Sequence, residues 1–353
     1  MAKIVIIVLL ALSSTEFDAF SKSSDQLDEA IEASKRGNEE RAIELYTEAL
    51  GIGNLSRSDL ATAFHGRGYS YYQRGRYDLA IKDLTESLKL VQDSDAYYIR
   101  GYSFYQIGQY EEAIKDLNQS IRLKPDIDAY IVLGMSHSAK GQCGIAIDYY
   151  LKAISVQPNS AQAYYSRAFC YSQQGLYDKA IEDMDHSMQL DPKDEAKYVF
   201  SRGWIKFLKG SLAGAERDFL QVLKATEIGN LSWAMPSIIW LYLVETHQKQ
   251  DAADTLSNRT RKSNLAFWPG PIVSLFLGKI TPQELIVKYG TGKAREEKAR
   301  QVEVYFYIGQ YYLISGDQTQ AVKMLKAAVG TGQTTQLEYF AAKQELRRMG
   351  LTK

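Results

Sequence analysis

The stretch YYIRGYSFYQIGQYEEAIKDLNQSIRLKP, residues 97–125, decides the fold of this chain. Two helical patterns flank Gly108, and Pro125 follows the second one. A glycine can adopt a positive φ and end the first helix. A proline stops the second helix, because it fixes φ and has no backbone N–H. The stretch therefore predicts two antiparallel helices joined by a tight turn.

The same pattern recurs along the chain. The turn glycine returns at intervals of 33–38 residues in its first six copies, and a further copy follows later: Gly37, Gly75, Gly108, Gly141, Gly175, Gly210 and Gly316. Five residues after each glycine stands an alanine: Ala42, Ala80, Ala113, Ala146, Ala180, Ala215 and Ala321. Seven residues before six of them stands another small residue, such as Gly101 before Gly108. Small residues let two helix backbones approach closely, so the period indicates stacked helix pairs.

This repeat resembles the tetratricopeptide repeat (TPR), in six units over residues 23–226. The resemblance implies an all-α fold, a TPR helix-turn-helix solenoid that forms a right-handed superhelix. Residues 227–263 are interpreted as a degenerate TPR-like helix pair, with Gln248 at the turn and Ala253 after it. Residues 294–330 restore the repeat, and residues 331–353 predict an amphipathic C-terminal capping helix.

Residues 264–293 break the repeat, because Trp268-Pro269-Gly270-Pro271 forces a turn. We interpret them as a connector with short helices. Together with 305–313 (YFYIGQYYL) and Glu338-Tyr339, this region is similar to the NlpI-type periplasmic TPR adaptor family. That resemblance implies an exported adaptor of the cell envelope, commonly a homodimer. The chain departs from the family in lacking a lipid-anchor cysteine and in having more repeats.

The N-terminus predicts export. Lys3 precedes nine apolar residues at 4–12, and small residues stand at Ala11 and Ser13, near the end of this segment. This order is typical of a secretory signal peptide, here residues 1–13, with a leader over 14–22. Nine residues are too few to span a bilayer, so we predict no transmembrane anchor. An uncleaved first helix, in a cytosolic TPR cofactor, is the open alternative.

Two positions of the repeat change together. Arginine and aspartate stand 16 residues apart in four units: Arg67 and Asp83, Arg100 and Asp116, Arg167 and Asp183, Arg202 and Asp218. In the fourth unit both change, to Leu133 and Tyr149. This covariation predicts a structural ion pair between the two helices of one unit or between helices of neighbouring units.

Composition excludes several functions. The chain has 42 basic and 42 acidic residues, so it lacks the net charge of a general nucleic-acid binder. Two cysteines in different repeat positions and four dispersed histidines predict no disulfide and no metal site. No catalytic or nucleotide-binding motif occurs. We therefore predict no cofactor, no catalytic residues and no enzymatic activity.

The 25 tyrosines indicate a binding surface. In a TPR array the first helix of each unit lines the concave side, and aromatic residues occupy its exposed positions: Tyr69, Tyr72, Tyr98, Tyr102, Tyr105, Tyr165, Phe169, Phe200 and Trp204. Such residues favour binding of a partner peptide or helix. Because aromatic grooves also stack sugars, an envelope glycan is the alternative ligand. The Lys and Asn clamp of chaperone-binding TPRs is absent.

Overall fold

The computed structural model describes residues 22–226, 233–291 and 295–351. These residues form helices, turns and bends and contain no strand, which confirms the predicted all-α fold. The predicted signal peptide and nearly all of its leader lie outside the described residues. No helix in the described ranges has the length and apolar character that crossing a bilayer requires.

Two compact units divide the chain. We call them the N-terminal unit, up to His137, and the C-terminal unit, from Ser138 onward. The helices of the N-terminal unit, with the one that contains the boundary, are α1 (22–35), α2 (Glu39–Ile52), α3 (Arg57–Gln73), α4 (Tyr77–Leu90), α5 (Ser94–Gln106), α6 (Tyr110–Leu123) and α7 (Ile127–Ala139). Within this unit α3 packs on α4 and α5 packs on α6, as antiparallel pairs.

The C-terminal unit continues the pairs and then departs from them. Its helices are α8 (Cys143–Val156), α9 (Ala161–Gln173), α10 (Tyr177–Leu190), α11 (Glu195–Lys209), α12 (Leu212–Thr226), α13 (Ala234–His247), α14 (Ala252–Thr260), α15 (Gly270–Phe276), α16 (Pro282–Tyr289), α17 (Arg295–Ile314), α18 (Gln318–Gly330) and α19 (Leu337–Arg348). The predicted short helices of the connector are α15 and α16. A capping box in which Thr281 and Glu284 exchange hydrogen bonds begins α16.

The turn glycines behave as the repeat predicts. All seven have a positive φ, between 69° and 88°. At Gly108, the backbone N–H of Gln109 then donates to Phe104 O at 2.9 Å, which satisfies a carbonyl at the end of α5. In the degenerate pair Lys249 takes this conformation, with a φ of 58°, instead of Gln248. Ala252 is buried there and Ala253 is exposed. The turn therefore lies one residue later, and the buried alanine one residue earlier, than the repeat pattern predicted.

Close approach explains the small residues. A Cβ placed on Gly101 would lie 2.9 Å from Cγ of Leu117 and 3.3 Å from the carbonyl oxygen of Ala113. Ala113 and Leu117 are both fully buried. A larger side chain at Gly101 would therefore push α5 away from α6.

The core of the C-terminal unit joins segments that are distant in sequence. Trp240 of α13 stacks on Phe306 of α17, with ring centroids 5.5 Å apart. Arg348, at the end of α19, donates to the carbonyl oxygens of Phe207 and Leu208 at 3.2 and 3.0 Å. The last helices therefore bury the aromatic residues of α11 and α13.

Candidate functional site

Five tyrosines form one continuous row in the N-terminal unit, which we call the tyrosine ladder: Tyr69 and Tyr72 on α3, and Tyr98, Tyr102 and Tyr105 on α5. Residues three or four apart share a face of a helix, so each helix presents its tyrosines in a line. The two lines meet where Tyr102 stands edge-on to Tyr72, with centroids 5.4 Å apart and planes at 87°. Both helices thus contribute to one aromatic surface.

The ladder is closely spaced on each helix. Tyr69 and Tyr72 have ring centroids 6.1 Å apart, and Tyr102 lies 6.3 Å from both Tyr98 and Tyr105. Aromatic pairs at these distances attract one another beyond the burial of their area. The amide of Gln106 donates to the hydroxyl of Tyr102 at 2.6 Å. The rings are therefore held in place before any ligand arrives.

A cleft of about 570 Å³ opens over one end of the ladder. Its lining comes from four of the helices of the N-terminal unit together with the start of α7: Ile31, Ser34, Lys35, Tyr46, His65, Gly66, Tyr69, Tyr72, Gln73, Asp95, Tyr98, Ile99 and Asp128. Its volume lies in the range of sites that bind small ligands or short peptide segments. The tyrosines supply apolar area, while Lys35, His65, Asp95 and Asp128 supply polar groups at its rim.

The surroundings favour the neutral form of Tyr72 and of Tyr98. Burial, and to a smaller extent the neighbouring Tyr102, raises the pKa of Tyr72 to about 12. Burial and then the carboxylate of Asp128 raise the pKa of Tyr98 well above its usual value. Burial and the neighbouring Asp126 in turn raise the pKa of Asp128. The cleft therefore presents uncharged, partly desolvated phenols that can donate and accept hydrogen bonds.

One glycine makes room for a wall of this cleft. The ring of Tyr46 lies where a Cβ on Gly66 would stand, and Tyr46 is itself buried. Gly66 therefore fixes the position of Tyr46 beside the ladder. The repeat pattern gave no signal for this contact, because it places Gly66 at a variable position.

The remaining predicted groove residues belong to the C-terminal unit. Tyr165 and Phe169 are partly buried and pack edge-on, with centroids 5.0 Å apart. Phe200 and Trp204 are 2% and 0% exposed, which corrects their assignment to an open surface. Trp233, at the start of α13, covers Phe200 at 5.0 Å, and Phe169 packs against Trp204 at 5.9 Å. Both residues are core in this unit.

The four arginine and aspartate pairs are bidentate. Each guanidinium donates from Nε and Nη2 to the two carboxylate oxygens of its partner, at 2.6–2.9 Å, within one helix pair: Arg67 and Asp83, Arg100 and Asp116, Arg167 and Asp183, Arg202 and Asp218. The aspartates are almost fully buried. Such pairs stabilise the helix packing and leave no carboxylate available for chemistry.

The arginines also reach the preceding helix pair. Nη1 of Arg67 donates to Thr47 and Nη1 of Arg100 donates to Thr85, each at 3.0 Å. Nη1 of Arg202 donates to Asp185 at 2.6 Å. One arginine side chain therefore joins three helices in these repeats. The sequence left open whether the ion pair lies within one repeat or between neighbours; the aspartate is in the same repeat, and the additional hydrogen bond goes to the preceding one.

Both cysteines are buried, and they are not joined by a disulfide bond. The thiol of Cys143 donates to Gln173 at 2.8 Å, and that of Cys170 contacts Ser138 at 3.4 Å. Within the described residues, no group of three or more His, Cys, Asp or Glu side chains is arranged to hold a metal ion.

Comparison with known proteins gives the following matches. Three models described as "Tetratricopeptide repeat" match residues 65–126, 127–160 and 149–182. A crystal structure of MamA is 28% identical and covers 47% of this chain and 95% of that one, with a TM-score of 0.42. A structure of YrrB, titled a TPR protein with an unusual peptide-binding site, is 24% identical over 47% of this chain and 85% of that one, also with a TM-score of 0.42.

A third structure, MamA 41-end from Desulfovibrio magneticus RS-1, is 22% identical over 50% of this chain and 99% of that one, with a TM-score of 0.46. The family models carry the assignment, because they match the residues whose glycines, alanines and helix pairs are described above. Residues 65–182 of this chain are therefore tetratricopeptide repeats, and its fold is the all-α helix-turn-helix fold of TPR proteins.

Proposed function

We propose that this protein is a non-enzymatic scaffold whose tyrosine ladder binds an extended peptide or a helix of a partner protein. The observation that carries the proposal is the edge-on contact of Tyr72 and Tyr102, which joins the tyrosines of α3 and α5 into one surface beside a cleft. A surface that continues from one helix to the next suits a ligand that runs across both.

Tyrosine is well suited to this task. Each tyrosine side chain offers a large apolar area and a hydroxyl. It has few rotatable bonds, so it loses little conformational entropy when a ligand binds. The rings already contact one another, so little ordering is needed when a ligand arrives. Residues at the centre of such a surface commonly cost about 2 kcal/mol or more of binding free energy when truncated to alanine. Tyr102 is central in the ladder, because it contacts Tyr72, Tyr98 and Tyr105, and Tyr98 lines the cleft.

The cellular setting of this scaffold is part of the proposal. The basic and apolar N-terminus supports export to the periplasm, and the similarity of residues 264–349 to the NlpI-type adaptors supports a role in the cell envelope, as a homodimer. N-terminal sequencing of the protein from its host tests the export: a mature chain that begins near residue 14 supports it. An intact Met1 in a cytosolic fraction contradicts it.

The binding test uses the full chain. Affinity capture from envelope extracts with mass spectrometry identifies candidate partners, and calorimetry with the purified partner measures affinity. We expect Tyr98→Ala/Tyr102→Ala to weaken binding at least about 30-fold, the equivalent of about 2 kcal/mol. Tyr97→Ala is the matched control, because Tyr97 lies on the same helix outside the ladder and packs against Arg100.

Two outcomes contradict the proposal. One is unchanged affinity of the double variant while its circular dichroism remains helical. The other is that soluble peptidoglycan fragments bind the ladder and displace the partner peptide, which would favour the glycan function. Calorimetry is used for the glycan test, because the N-terminal unit, which holds the ladder, contains no tryptophan in the sequence.

A further inference from the structure

A second cleft, of about 470 Å³, lies wholly within the C-terminal unit. We call it the α19 cleft. Its floor includes Cys143 at the start of α8, Gln173 at the end of α9 and Tyr177 at the start of α10, and α19 supplies Lys343 and Arg347. None of these residues belongs to the tyrosine ladder, so the two sites are separate.

The walls of the α19 cleft are fixed by polar contacts at both ends of the last helix. Before α19, the hydroxyl of Thr334 donates to the carbonyl oxygen of Ala139 at 2.5 Å. At its far end, Arg348 donates to the carbonyl oxygens of Phe207 and Leu208. Between them Ala341, Ala342 and Leu346 are buried in the core. The cleft is therefore preformed, since α19 is attached on both sides of it.

Charge distinguishes this cleft from the rest of the chain. Two cations line it, and none of the described residues that line it is an aspartate or a glutamate. Lys343 forms no ion pair with any residue in the described ranges. Because the whole chain carries equal numbers of acidic and basic residues, this excess of positive charge is a local property.

The neighbouring groups respond to this positive field. The pKa of the Cys143 thiol is lowered, chiefly by its hydrogen bond with Cys170 and also by the charge of Lys343. Burial raises the pKa of Tyr177, and the charges of Arg347 and Arg348 act against that rise. A carboxylate placed in the cleft would experience the same attraction.

The remaining lining suits a peptide more than a free ion. Tyr177 and Tyr339 offer flat apolar surface, and the amides of Gln173 and Gln344 can pair with backbone groups. A volume of about 470 Å³ accommodates a short segment of chain. Charge complementarity then selects a segment that carries carboxylates.

We propose that the α19 cleft binds an acidic peptide segment of a partner protein, with Lys343 pairing with its carboxylates. This site goes beyond the tyrosine ladder, because it lies in the other unit and selects by charge. A scaffold with both sites would hold two segments of different chemistry.

The test measures fluorescence anisotropy of a fluorescein-labelled short peptide of alternating glutamate and tyrosine residues, added to the full chain. The same peptide with glutamine in place of glutamate is the ligand control. We expect Lys343→Gln to weaken binding of the acidic peptide about tenfold, since a hydrogen bond to a charged group contributes about 1.5 kcal/mol or more. Lys343→Arg should restore most of it, and added salt should weaken it.

Lys326→Gln is the matched protein control, because Lys326 is an exposed lysine on α18 and does not line the cleft. Alkylation of Cys143 by iodoacetamide, followed by mass spectrometry, gives a second readout. Cys143 lines the cleft and keeps 7% of its surface exposed, whereas Cys170 is 0% exposed. The acidic peptide should slow modification of Cys143, and Lys343→Gln should remove that protection.

Three results would overturn the proposal. The first is equal affinity for the glutamate and glutamine peptides. The second is an unchanged affinity in Lys343→Gln, with Tyr98→Ala/Tyr102→Ala alone abolishing binding, which would assign the peptide to the ladder. The third is that dextran sulfate binds at this site while the acidic peptide does not. Because the two sites have separate variants, failure here leaves the test of the ladder intact.

Discussion

Arg100 donates two hydrogen bonds to the carboxylate of Asp116, at 2.6 and 2.8 Å, and a third to the hydroxyl of Thr85, at 3.0 Å. Arg100 lies on α5, Asp116 on α6 and Thr85 on α4. The pair therefore fastens the two helices of one repeat and connects them to the repeat before it. Because both charged groups are largely removed from water, each depends on the other for its solvation.

We expect Asp116→Ala to lower the free energy of unfolding by about 3–5 kcal/mol, because it leaves the Arg100 guanidinium largely buried without a counterion. Urea denaturation followed by circular dichroism measures the loss. Glu86→Ala is the matched control, since it removes the exposed pair with Lys89, which contributes at most about 0.5 kcal/mol. Equal losses in the two variants, or lost partner binding at full stability, would contradict the structural role.

Gly66 offers a test of the cleft that leaves every tyrosine in place. We expect Gly66→Ala to lower the free energy of unfolding by about 1–3 kcal/mol, because its Cβ would overlap the buried ring of Tyr46. The displaced ring should also weaken partner binding, measured by calorimetry. Gly51→Ala is the control, because a Cβ there meets open space near the end of α2. If both alanine variants bind equally well, Tyr46 does not shape the site.

The C-terminal unit should lose stability as pH rises through neutrality. Burial, and then the charge of Glu338, raise the pKa of Glu303 to about 8. The hydrogen bond that Trp268 donates to Oε2 of Glu303, at 2.9 Å, and the charge of Arg300 both act to lower this pKa. The pKa of Glu338 is also raised by burial, and it accepts from the hydroxyl of Tyr307 at 3.0 Å. Both carboxyls are therefore favoured in their protonated form in the folded state.

The sign of the effect follows from proton uptake. The folded state holds a proton on Glu303 that the unfolded state releases near pH 4.5, so the contribution of Glu303 to stability is greatest below that pH. It should then fall as pH rises toward 8. We expect the unfolding temperature of the wild type to decrease over this interval and that of Glu303→Gln to decrease less, in calorimetric scans at each pH. Parallel curves for the two proteins would show that Glu303 ionises normally.

Much of the fold could be predicted because it depends on local chemistry. A glycine is required at position 108 only by the positive φ of its own turn. Small residues are required at Gly101 and Ala113 only by the close packing of the two helices of the same repeat. Each requirement recurs in every copy, so the period reveals it. The arginine and aspartate pairs were readable for a similar reason, since the two residues change together within one helix pair.

The site was less accessible to prediction. A repeat position tells which face of a helix a residue occupies, and this was sufficient to find the tyrosine ladder. It does not tell whether another segment covers that face. Phe200 and Trp204 have the same repeat positions as Tyr98 and Tyr102, which are partly exposed, yet they are buried. Trp233, at the start of α13, lies over Phe200. The α19 cleft gave no signal either, because Lys343 and Cys143 are 200 residues apart in sequence.

The contact between Arg348 and Phe207 also sets an order of events during synthesis. The two residues are 141 positions apart, so the ribosome adds Arg348 roughly 7 to 28 s after Phe207 at ordinary elongation rates of about 5–20 residues per second. Throughout that interval the end of α11 at Phe207 and Leu208 lacks the contacts that α19 supplies. The packing of the C-terminal unit is therefore completed only when translation reaches α19.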